Sequence, residues 1–144
     1  MSRTGFVIKY ANCPIIWTSK LQTEIALSTT EAEYIALSQS MREAIPMTQL
    51  LEELEDILPL NSIPSKINCT IFEDNESCIQ LSKSPRMRPR TKHIAIKYHH
   101  FRKGITDGLY DILSIDTAKK TADIFTKGLS EDKFVYLRKK LIGW

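Results

Sequence analysis

The sequence has no apolar run long enough to span a bilayer, which takes about 20 residues, and its first residues do not read as a signal peptide. Cysteine is sparse. Cys13, Cys69 and Cys78 are odd in number and form no CxxC pair, which argues against a disulfide framework or a zinc knuckle and for a reducing, intracellular, cytoplasmic setting. The five glycines are scattered, so there is no glycine-rich phosphate loop. No Ser/His/Asp set stands out, and repeats, linkers and low-complexity tracts are missing. The 144 residues read as one domain, 1–144, long enough to bury a core of its own.

One absence is local. Between Ser77 and Thr106 there is no acidic residue, while Lys83, Arg86, Arg88, Arg90, Lys92, Lys97, Arg102 and Lys103 all fall there. The net charge of +3 says little, but a one-signed segment can neutralise phosphates and track a nucleic-acid backbone. A solvated helix face followed by a basic loop fits the same pattern.

What the chain does contain has the rhythm of an α/β domain. Residues 5–10 and 14–19 are β-branched and aromatic around a short Ala11-Asn12-Cys13 connection, which predicts a hairpin. Trp17 reads there as a core residue. Ser28 and Thr30 are both N-cap candidates, each with a glutamate three residues on, Glu31 and Glu33. The helix that follows carries a stripe of Tyr34, Leu37, Met41 and Ala44 or Ile45. Pro46 predicts a kink or break before the helix continues to Leu54. A strand over 67–74 ends on Asp74, a short helix runs from Asn75 to about Ser82, and a basic loop over 84–91 contains two prolines. A helix over 92–104, a strand over 109–115, a helix carrying Asp123 and ending at Gly128, and a closing helix over 131–141 complete the order. That order predicts a mixed sheet flanked by helices.

Three carboxylates stand where chemistry is often built: Glu33 in the first turn of a helix, Asp74 at a strand end, and Asp123 in a late helix. Hard cations such as Mg²⁺ take carboxylate oxygens, and a pair of such ions can activate water against a phosphodiester. Spacing alone leaves their convergence open. The histidines His93, His99 and His100 lack the spacing of a zinc site.

Four motifs occur in order: Ala26-Leu-Ser-Thr-Thr-Glu-Ala-Glu-Tyr-Ile-Ala-Leu37, Glu73-Asp-Asn-Glu-Ser-Cys-Ile79, Arg90-Thr-Lys-His-Ile-Ala-Ile-Lys-Tyr-His-His100 and Thr121-Ala-Asp-Ile-Phe-Thr-Lys127. Together they resemble the ribonuclease H domain of copia-type retrotransposon Pol polyproteins, over essentially the whole chain. The resemblance implies a ribonuclease H-like fold and metal-dependent hydrolysis of the RNA strand of RNA–DNA hybrids during reverse transcription. It implies Glu33, Asp74 and Asp123 as catalytic residues and metal ligands for two Mg²⁺ (or Mn²⁺) ions, with Glu31 as a cap. Arg86, Arg88, Arg90, Lys92 and His93 would bind the hybrid. The partners implied are that hybrid and the upstream reverse transcriptase of the same polyprotein, in the cytoplasm or a virus-like particle, with no membrane.

Two departures from the family follow. Its first catalytic aspartate lies on a central strand upstream of the hairpin, and this chain has only Met1-Ser-Arg-Thr before Gly5. The sheet is therefore expected to lack its first, central strand, which would open the edges of both neighbours. An active nuclease and an inactive, at most nucleic-acid-binding, remnant both stay open. Relatives also carry acidic residues before the last motif, where this chain has Lys119 and Lys120; Lys119 lies four residues before Asp123, close enough to pair with it, either competing mildly with a metal or forming a surface ion pair of little consequence.

Overall fold

The computed structural model describes residues 2–58, 67–84 and 96–144. The first two strands, β1 (Arg3–Tyr10) and β2 (Cys13–Leu21), form the expected antiparallel hairpin, with Tyr10 paired to Cys13 across a two-residue turn. Ala11 and Asn12 both have positive φ, 49° and 65°, the mirror-image turn whose twist matches that of the strands. Ser28 caps the long helix α1 (Thr29–Ile57), its hydroxyl accepting from the Glu31 N–H at 3.1 Å. Glu31 in turn accepts from the Leu27 N–H at 2.7 Å, one residue earlier than the usual reciprocal cap. α1 passes through Pro46 without interruption, so the predicted break does not occur.

After α1, strand β3 (Cys69–Glu73) pairs in parallel with β4 (Tyr110–Ser114). Between them lie α2 (Glu76–Lys83), capped by Asn75, and α3 (Arg102–Thr106). The helix expected over 92–104 is not continuous where it is described. A 3-10 turn at Ile96–Tyr98 precedes α3, and the stripe is kept because Tyr98 and Phe101 are both buried. Asp123 is likewise not on an α-helix. Two 3-10 turns, Thr117–Lys119 and Thr121–Phe125, occupy that stretch, and Asp116 caps the first. The closing helix α4 (Glu131–Ile142) ends on Gly143 with φ 84°, a left-handed C-terminal residue suited to glycine.

The core forms where the α1 stripe meets α2 and β4. Tyr34, Ile35, Leu37, Met41 and Ala44 pack with Cys78, Ile79, Leu81, Tyr98, Phe101 and Ile112. Burying this apolar surface is the main favourable term, at about 25 cal/mol per Å². Trp17 is not part of it. It is 61% exposed on β2, beside its cross-strand neighbour Val7, because β2 presents only alternate residues inward and Trp17 falls on the outer set.

The described strands form two two-stranded sheets, β1–β2 and β3–β4, rather than one mixed sheet. A groove of about 450 Å³ separates them. It is lined by consecutive residues 5–10 of β1 and 67–73 of the β3 segment, and residues of α1 such as Leu37, Ser40 and Met41 form its floor. Consecutive lining residues mean that strand edges face the groove as well as side chains. Each two-stranded unit would be marginal alone and depends on α1 to hold it.

At one point β1 is clamped from outside. A Cβ on Gly5 would lie 2.5 Å from Thr126 Cγ2 and 2.9 Å from Phe125 Cβ, so the turn that carries Asp123 rests on this glycine. Gly5→Ala should therefore destabilise the chain by about 1–3 kcal/mol, the usual cost of overpacking. Urea unfolding reads the difference, and an unchanged midpoint would show that the turn yields freely.

Candidate metal centre

Glu33 lies in the second turn of α1, on the groove side of the capped N-terminus, and Asp74 is the first residue beyond β3. They come from separate motifs, yet the fold brings them together. Carboxylate oxygens of Glu33, Glu73 and Asp74 all lie within 4.8 Å of one another. Glu73 is the member that sequence reasoning missed. In a regular strand neighbouring side chains point to opposite faces, so Glu73 and Asp74 are not expected to share a site. The strand ends at Glu73, and the chain bends there. Glu73 Oε1 folds back to accept from the N–H groups of Asp74 (3.0 Å) and Asn75 (2.9 Å).

A lysine joins the three. Lys120 Nζ donates to Asp74 Oδ1 at 2.7 Å, Glu73 Oε1 at 3.1 Å and Glu33 Oε2 at 3.2 Å. Glu73, Asp74 and Lys120 are largely buried, whereas Glu33 forms the open side. Removing one partner of a buried ion pair commonly costs about 3–5 kcal/mol, because the other charge is left unpaired.

The electrostatics follow. Burial pushes the Glu73 carboxyl up, and the Lys120 charge only partly offsets this. Burial also acts on Asp74, but the Lys120 ammonium, the Thr117 side chain and Glu73 outweigh it and hold that carboxyl at about 2. Lys120 loses solvation too, yet the charges of Glu73, Asp74 and Glu33 raise it above the ordinary lysine range. Cys78 lies buried nearby, its thiol pushed up by burial and by the charges of Glu73 and Glu33.

Asp123 does not join the cluster. Its buried carboxylate is held by Lys127 at 2.9 Å and Lys133 at 3.2 Å. The expected partner Lys119 is not among these ion pairs. The four-residue spacing would align Lys119 with Asp123 on an α-helix, but this stretch is built of 3-10 turns, in which that alignment is lost. Arg86, Arg88, Arg90, Lys92 and His93 lie outside the described residues. His99 Nδ1 bonds the buried Tyr34 Oη at 2.8 Å, and the exposed His100 places Nδ1 3.3 Å from the Lys97 carbonyl.

The donors fit a hard divalent cation in kind, being carboxylate oxygens from two elements converging on one point. With all three ionised, one ammonium leaves the cluster two charges negative. Among the described residues the counter-charge bound to it is Lys120.

Comparison with known proteins places this geometry in context. The chain is 39% identical over 142 residues, 99% of its length, to the retrovirus-related Pol polyprotein from transposon TNT 1-94 of Nicotiana tabacum. It is 33% identical over 141 residues to those from transposons RE2 and RE1 of Arabidopsis thaliana. The chain spans about a tenth of the length of these relatives. No family model matches it, and no solved structure does. These relatives, which match nearly the whole chain, are thus Pol polyproteins of plant transposons.

The cluster sets an acid response. Because the Asp74 value lies below its ordinary 3.8, the stabilisation from Asp74 is present above pH about 4 and is lost as pH falls through about 2. Glu73, whose value is raised, acts in the opposite direction, since protonating it as pH falls favours the folded chain. Stability should therefore hold or rise as pH first falls from neutral, then drop between about 4 and 2 as Asp74 protonates. Asp74→Asn should flatten that lower limb in urea titrations; equal slopes for both chains would exclude the pairing.

Proposed function

We propose that this chain is the ribonuclease H-like part of a copia-type Pol polyprotein, acting on the RNA strand of RNA–DNA hybrids with Mg²⁺ (or Mn²⁺). The observation that carries the reading is the meeting of Glu33 and Asp74, taken from two separate motifs, at one acidic point. Glu33, Glu73 and Asp74 would hold the ions. When bound, divalent cations polarise the phosphodiester and lower the pKa of water. The chain's own residues orient: the Glu73 carboxylate is fixed by two backbone N–H groups, and Asp74 is kept ionised at neutral pH. Asp123, tied to Lys127 and Lys133, would be a flanking ligand that swings in.

The groove between β1 and β3 supports the same reading. It is shaped for an extended strand that would pair with both edges and bring a further carboxylate to the Glu33 end. In a Pol polyprotein that strand, like the reverse transcriptase, would belong to the same long chain, in the cytoplasm or a virus-like particle. Arg86, Arg88, Arg90, Lys92 and His93 would track the hybrid's phosphates.

One observation favours the alternative, an inactive remnant that at most binds nucleic acid. Lys120 already neutralises part of the acidic cluster.

Cleavage of a labelled RNA–DNA hybrid in Mg²⁺ separates the two. The nuclease reading expects cleavage that Asp74→Asn abolishes with hybrid affinity nearly unchanged. Cleavage retained in Asp74→Asn would contradict it. Both readings expect Arg88→Ala or Lys92→Ala to weaken binding and to reduce its salt dependence by about one unit of slope each.

A further inference from the structure

We infer that Lys120 is a tethered cation that competes with divalent ions for the carboxylate cluster, and so sets the threshold at which a metal binds. The inference rests on the reading of Glu33, Glu73 and Asp74 as metal ligands, and it concerns a residue that this reading does not require.

Three features of the geometry support it. First, one ammonium reaches all three carboxylates at 2.7–3.2 Å, the position from which a cation serves them together. Second, the backbone of Lys120 is fixed. It is the joint between two 3-10 turns, with Asp116 capping the one before it. Its own carbonyl accepts from the Asp123 N–H at 3.2 Å. The ammonium is therefore delivered to the cluster by the fold, at a high effective concentration that a free ion must overcome. Third, the side chain can leave. A lysine is a point charge on a flexible four-carbon stem, unlike the planar fork of arginine, and Glu33 forms the more open wall of the cluster. A divalent ion entering past Glu33 would replace one charge by two, and the displaced ammonium would move into solvent.

The same joint links the two acidic places in this region. Lys120 holds the cluster through its side chain and the Asp123 turn through its carbonyl, so release of the ammonium leaves the backbone joint to the Asp123 turn in place.

The test is Mn²⁺ binding to the full 144-residue chain, followed by electron paramagnetic resonance. Lys120→Gln should bind Mn²⁺ at least about ten-fold more tightly than the wild type, and adding Glu33→Gln should abolish the gain. Equal affinity in the wild type and Lys120→Gln would overturn the competition while leaving the metal site standing. No binding by either chain would overturn the metal reading itself, and the inference with it. Circular dichroism checks that the variants fold. A second measurement needs no variant: amine acylation of the wild type, read by mass spectrometry. Lys120 should be among the slowest lysines to react without metal and should react faster in saturating Mn²⁺. A Lys120 rate unchanged by bound Mn²⁺ would overturn the inference.

Discussion

Three segments far apart in the chain converge on one ammonium group. Lys120 Nζ joins the N-terminal part of α1 through Glu33, the end of β3 through Glu73 and Asp74, and the double 3-10 turn through its own backbone. Without a counter-charge, three carboxylates this close would repel, which opposes the approach of the β3 end to α1. Charges buried in this way are tolerated only when paired and hydrogen-bonded. Glu73 meets that condition with two backbone donors besides the lysine. The cluster therefore ties the acidic end of the groove together while concentrating the negative charge that a metal centre needs.

A second constraint is the groove itself. The β1–β2 hairpin and the parallel β3–β4 pair both rest on α1 but do not pair with each other. Strand edges left facing a groove are either paired by another strand or prone to pair with another chain. The groove and the acidic cluster share Glu33, Glu73 and Lys120 in their linings, so whatever fills the groove would alter the chemistry at its end.

Much of this was legible in the sequence where local rules decide. The Ser28 cap, the Tyr34–Met41 stripe, the hairpin and the short helix opening at Asn75 rest on short-range spacing, and tertiary packing agrees with it. The meeting of Glu33 with Asp74 followed from motif order, which spacing could not establish. The misses share a cause. Asp123 and Lys119 were placed on helical geometry that two 3-10 turns replace. Glu73 was hidden by strand alternation, which ends where the chain bends at Asp74. Trp17 reads as core on a strand of alternating character, but its register on β2 turns it outward. Lys120 was visible only as a departure from relatives; its reach to three carboxylates depends on a joint that no local pattern reveals.

The central claim is that Lys120 is the paired, buried cation of this cluster. Nitrogen-15 NMR of the lysine side chains tests it most directly. The expected ammonium signal exchanges slowly with water at neutral pH, vanishes in Lys120→Gln, and titrates above the ordinary lysine range. If Lys120 exchanges as fast as exposed lysines such as Lys103, the three carboxylates are not held by it, and the pairing described for this site is wrong.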